Sequence, residues 1–179
     1  PSRTKAGSAG TASRRGCAST ASQAASLALP KKIETAAADG KVGVVQTWLA
    51  GDGLVDATCV RRGVSGCTLL LIAAEHGHKQ LVKVLLKRCA EADSRDGEGY
   101  TALMAAAAKG HERVADLLLQ HGAEINLLGS DSVTALMCAA QEGHERMVEL
   151  LMQRGADANL QRSEGGTALM LAAAHGHER

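Results

Sequence analysis

Histidines and cysteines are the residues here whose types and spacing come nearest to chemistry. His76-Gly77-His78 and His175-Gly176-His177 each set two imidazoles two residues apart. A zinc site needs three or four Cys, His or carboxylate ligands, and neither pair has Cys or acidic partners at ligand spacing. His78, His111, His144 and His177 also recur every 33 residues, so the second histidine of each pair reads as architecture. The five cysteines (Cys17, Cys59, Cys67, Cys89, Cys138) contain no C-x-x-C. An odd number at irregular spacing makes a poor disulfide framework and points to a reducing compartment. Cys67 and Cys138 read as small hydrophobes within or beside helices. No G-x-S-x-G, phosphate-binding loop, H-E-x-x-H or Gly-rich dinucleotide turn occurs. The expectation is a protein that is not an enzyme and uses no metal, cofactor or small-molecule substrate.

The elements that position these residues follow from self-similarity. Thr68, Thr101, Thr134 and Thr167 are 33 residues apart, as are Gly77, Gly110, Gly143 and Gly176. Thr101–Asn126 and Thr134–Asn159 agree at 16 of 26 positions, so these are copies of one unit. Within a unit, T-x-L-x-x-A-A-x-x-G-H predicts a short helix over 101–109, with the Thr hydroxyl near its start to accept from unsatisfied backbone N–H groups. Leu103, Ala106 and Ala107 fall at i, i+3 and i+4, a narrow apolar stripe whose alanines let a neighbouring helix come close. Gly110 ends that helix. A second, more apolar helix carries Val114, Leu117, Leu118 and Leu119, or Met147, Val148, Leu150 and Leu151 in the sister copy. It ends at Gly122 or Gly155, and Asn126 or Asn159 opens a polar, Gly-containing stretch. Burying each large apolar side chain contributes roughly 1.5–3 kcal/mol, yet one helix pair has nothing to bury against until another stacks on it.

A 33-residue period carrying T-A-L-M-x-A-A-x-x-G-H, then L-L, then G-A-[DE]-x-N resembles the ankyrin repeat over residues 33–179. The resemblance implies an all-α solenoid of stacked helix-turn-helix units, with short hairpin-like finger loops and a concave binding face lined by fingers and first helices. Units are expected at 33–57 (degenerate), 63–93, 96–126, 129–159 and 162–179 (truncated). Gly40 lies 37 residues before Gly77, so four extra residues fall after Ala57, and 58–65 is expected to form an enlarged first finger. Some positions depart from the family pattern: Ala102 and Ala135 replace the usual Pro, Met104 and Met137 the usual His, and Cys89 the helix-ending Gly. The last unit lacks nearly all its second helix, so Leu169, Met170 and Ala173 are expected to be poorly covered and to fray. Trp48 falls in the apolar pattern of the first unit and is read as core. Glu112 and Glu145 suit the first turn of the second helices, with Arg113 and Arg146 three residues before Asp116 and Glu149.

Charge divides the chain. Residues 1–32 hold six bases and no acid, leaving 14 bases against 19 acids in the remainder, a balance of −5. The Ala/Ser-rich tail is read as disordered, since it cannot bury enough apolar surface to offset ordering entropy. Its composition also resembles an organelle transit peptide, and its charge allows nucleic-acid binding. No run is long and apolar enough to span a bilayer. The expected setting is intracellular and cytoplasmic. A start at Pro1 and a stop at Arg179 within a repeat read as a piece of a longer protein.

Positions that stacking leaves unexplained are the candidates for partner binding. On fingers these are Val64, Ser65, Glu98, Tyr100, Asp131, Val133 and Glu164; at first-helix ends, Glu75, His76, Lys109, Gln141 and Glu142. Tyr100 stands out, because tyrosine joins large contact area to a hydroxyl. Three functions compete: a protein–protein scaffold binding on the concave face, a nucleic-acid accessory protein acting through the basic tail, and a targeting module for an enzyme domain outside this sequence.

Overall fold

A computed structural model describes residues 28–51 and 53–177. The reading of the basic tail therefore falls almost wholly outside the described residues. The two tail lysines inside them, Lys31 and Lys32, lie in the first helix, α1 (Lys31–Ala38), and Leu29 just before it is buried.

Short helices follow in antiparallel pairs: α1 with α2 (Val42–Ala50), α3 (Leu69–Glu75) with α4 (Lys79–Lys87), α5 (Ala102–Ala108) with α6 (Glu112–Gln120), and α7 (Ala135–Gln141) with α8 (Glu145–Gln153). A last first-type helix, α9 (Ala168–Ala174), packs on α7. The first helices stack in one row, α1, α3, α5, α7 and α9, and the second helices in another. The shared core runs between the rows as the spacing predicts. Ala73, Ala74, Ala106, Ala107 and Ala139 are fully buried, where a larger side chain would force the first helices apart. Leu81, Leu85, Leu118, Met147 and Leu151 of the second helices fill the space opposite.

Every full first helix is capped as expected. Thr68, Thr101, Thr134 and Thr167 accept through Oγ1 from the N–H of Leu71, Met104, Met137 and Met170 at 3.2–3.4 Å. Second helices close with a left-handed residue at position 89, 122 or 155. Beyond it the N–H of Ala90, Ala123 or Ala156 reaches back to the carbonyl of Leu85, Leu118 or Leu151 at 3.0–3.1 Å. Gly122 and Gly155 adopt that backbone freely, whereas Cys89 must hold φ +64 with a Cβ.

Two ladders join successive units. Nε2–H of His78, His111, His144 and His177 donates to the carbonyl of Ala38, Glu75, Ala108 and Gln141 in the preceding unit, at 2.7–3.1 Å. A carbonyl only accepts, which fixes the Nε2–H tautomer. Each ring lies on the glycine that ends the preceding first helix; a Cβ on Gly77 would fall 2.7 Å from the His111 ring. The recurring histidine is thus architectural. The second ladder runs through side chains that accept from the next unit's backbone. Asp56 takes the N–H of Glu91, Asp93 that of Glu124 and Asn126 that of Asp157, at 2.9–3.0 Å.

The finger enlarged by the four-residue insertion folds as a two-stranded antiparallel hairpin, β1 (Thr58–Arg61) and β2 (Val64–Thr68), pairing Thr58 with Thr68, Cys59 with Cys67 and Arg61 with Val64. Arg62 and Gly63 turn the chain, both with positive φ, the backbone that two-residue hairpin loops prefer. The Leu29 N–H bonds the Thr58 carbonyl at 2.9 Å, tying the hairpin to the entrance of α1. Trp48 is half-buried against the core, with Gly53 so close to the indole that a Cβ there would sit 2.6 Å from it.

One surface expectation is corrected. Asp116 pairs with Arg154, just beyond α8 in the following unit, and accepts from Gln120 at 2.7 Å; it forms no pair with Arg113. A carboxylate on the second-helix row reaches the next unit as easily as its own helix.

Candidate functional site

The fingers and the first helices enclose two adjoining cavities. The larger, about 260 Å³, lies between the hairpin, the finger at 96–100 and α5, floored by Val64, Cys67, Leu71 and Ala105. The smaller, about 100 Å³, lies one unit further along, against Val133, Cys138 and Leu171. Tyr100 and Ala108 line both, so the two form one trough.

Eight of the twelve candidates meet on this trough. Val64, Glu75, Glu98, Tyr100 and Lys109 line the larger cavity; Tyr100, Val133, Gln141 and Glu142 line the smaller. Tyr100 packs against the core while keeping part of its surface open. Burial above all, and then the neighbouring Cys138 and Glu98, push its phenol above the ordinary value, so at neutral pH it keeps its O–H as a donor. Its N–H and that of Glu98 both donate to Asp96 Oδ1, at 2.8 and 3.0 Å, which fixes the finger that presents them.

The other four candidates do not line the trough. The Ser65 carbonyl accepts from the Gly97 N–H at 2.7 Å, and the Asp131 carbonyl from the Ser163 N–H at 3.0 Å, so both positions brace neighbouring fingers. Glu164 is exposed at the tip of the last finger, and the Asp131 side chain is exposed as well. His76 turns to structure: its Nδ1–H donates to the Ile72 carbonyl at 3.0 Å, its Nε2 accepts from Arg61 at 3.2 Å, and its ring stacks on His78.

Residues that periodicity did not single out complete the walls. Arg61 bonds Glu75 through Nη1 and approaches Glu34 at 3.9 Å, while Arg62 lies 3.5 Å from the other Glu75 oxygen. These arginines sit in the insertion, which has no counterpart in the other units. Arg162 lines the smaller cavity with its Nε buried and without a hydrogen-bond acceptor. The thiols of the walls are poor nucleophiles. Burial first, and then the Glu142 carboxylate, push Cys138 up to about 12; burial and then Asp96 push Cys67 above the ordinary thiol value. Among the described residues no three His, Cys, Asp or Glu side chains converge as a metal would require, and no helix is long and apolar enough to cross a membrane.

A family model described as ankyrin repeats (3 copies) matches residues 33–129 and 126–179. No curated protein matches the chain. Period, helix pairs and matched span agree, and the chain belongs to the ankyrin-repeat family, whose repeats are generally non-catalytic protein–protein interaction modules.

Proposed function

We propose that this chain is a scaffold that captures a partner protein on the face made by its finger loops and first helices, with Val64, Glu75, Glu98, Tyr100, Lys109, Val133, Gln141 and Glu142 at the contact. The observation that carries this reading is Tyr100, an amphipathic ring shared by two adjoining cavities and rimmed by charged side chains. Interfaces concentrate their energy in such aromatic anchors surrounded by a polar rim. Ser65, Asp131 and Glu164 belong to the same finger row and act at its edge, whereas His76 serves the fold.

Selection of a displayed peptide library on the wild-type protein tests the reading. Selected binders should lose at least tenfold in affinity on Tyr100→Ala and on Lys109→Glu, while both variants keep the wild-type helical circular dichroism. Binders indifferent to both substitutions would move the contact off this face.

A further inference from the structure

Along the finger row, Glu98, Asp131 and Glu164 occur at 33-residue intervals, one per unit, and all three are exposed. Among the described residues none of these carboxylates takes part in an ion pair. Stacked helices lie about 8–10 Å apart, so the three carboxylates advance by about that step from unit to unit. Beside them runs the trough, with its apolar floor and a buried Arg162 Nε–H that has no acceptor.

An extended ligand that answers this row must repeat its charge with the same step and on the same side. A β-strand does not: residues three apart advance about 10 Å but face opposite sides. A polyproline-II segment does, since three residues complete one turn and advance about 9 Å. Its carbonyls are unpaired, and one passing through the smaller cavity would supply the acceptor for Arg162 Nε–H. On the helix side of the trough Glu75 is paired with Arg61 and Arg62, and Lys109 stands between it and Glu142, so a repeating acidic row lies on the finger side alone.

We propose that the trough takes a partner segment in the polyproline-II conformation, with Lys or Arg at every third residue over Glu98, Asp131 and Glu164 and an aliphatic side chain seated in the larger cavity. This rests on the face assigned under Proposed function and adds the chemistry of the partner.

The test is fluorescence anisotropy with the full chain and three labelled probes: a peptide of three Lys-Pro-Leu triplets, the same peptide with Glu in place of Lys, and one of the same composition with its lysines contiguous. The Lys triplet peptide should bind best, weaken as salt is raised, and lose at least tenfold with Glu98→Gln, Asp131→Asn and Glu164→Gln combined. Ala108→Trp, which fills the junction of the two cavities, should abolish its binding. Equal binding of the contiguous peptide overturns the three-residue register. Preference for the Glu peptide, lost on Ala108→Trp, overturns the basic chemistry and leaves the face standing. No binding by any probe overturns the partner chemistry alone, because the library selection reports on the face independently. Binding that survives Ala108→Trp overturns the proposal and the face together.

Discussion

Single residues show where a copy has drifted from the shared pattern. Gly66, Gly99 and Gly165 turn successive fingers with φ between +75 and +83, and the equivalent position in the remaining finger is Ser132, at φ +58, directly after Asp131 at φ +55. Two adjacent left-handed residues with side chains cost on the order of 1–2 kcal/mol each. Ser132→Gly is therefore expected to stabilise the chain by about 1 kcal/mol, raising the thermal midpoint by several degrees in a calorimetric scan. Cys138 presents the opposite case, a group well suited to its place. Its thiol titrates far above the usual range, so alkylation at pH 8 should be slow in the native state and fast in urea. The raised value also fixes the sign of its pH dependence: its stabilising contribution is whole below about pH 9, the ordinary thiol value, and is lost as pH climbs towards 12. Urea midpoints between pH 8 and 10.5 should fall less in Cys138→Ala than in the wild type.

At the scale of elements, the joint between units is a glycine covered by an imidazole. Gly110 has φ +67, and a Cβ there would meet the His144 ring at 2.9–3.1 Å. Gly110→Ala should cost about 2 kcal/mol or more, from left-handed strain plus displacement of the ring. Part of that cost should vanish in a His144→Ala background, a coupling that denaturant titration of the double-mutant cycle will read. Helices, caps and helix ends of this kind were legible because the same residues return at one period. The finger enlarged by the insertion was legible as a loop, yet its strands were not: Thr58–Arg61 and Val64–Thr68 occur once, and only pairing across Arg62-Gly63 makes them a sheet. For the same reason Arg61 and Arg62 escaped notice as walls of the trough. Arg162 escaped because its significance is a buried Nε without an acceptor, a property of three-dimensional surroundings that spacing does not encode. The strain at Ser132 was written in the chain, beside three glycines in register.

Across the whole molecule, stability comes from neighbour on neighbour, and an end differs from the middle by what is missing beside it. Leu118 is fully buried, whereas Leu169 and Met170 of α9 are 78% and 60% exposed. Leu118→Ala should cost about 2–5 kcal/mol and Leu169→Ala less than about 0.5, measured by urea unfolding. Amides of 167–177 should exchange with solvent much faster than those of α5 and α7; strong protection there would contradict the expected fraying.

The histidine ladder bears on which lengths of chain can be lost or copied. Three of its four bonds span 36 residues, and the fourth, from His78 to Ala38, spans 40, longer by the four residues inserted in the hairpin finger. Excising residues 101–133 would hand the Glu75 carbonyl from His111 to His144 and leave the remaining partnerships in register. Removing one residue more or fewer would change the spacing of the joint across the cut alone, because His177 and Gln141 lie wholly beyond it. Shortening or lengthening by a whole tile is thus a quiet edit for this chain, and any other length must be taken up by one finger, as the hairpin takes up its four extra residues.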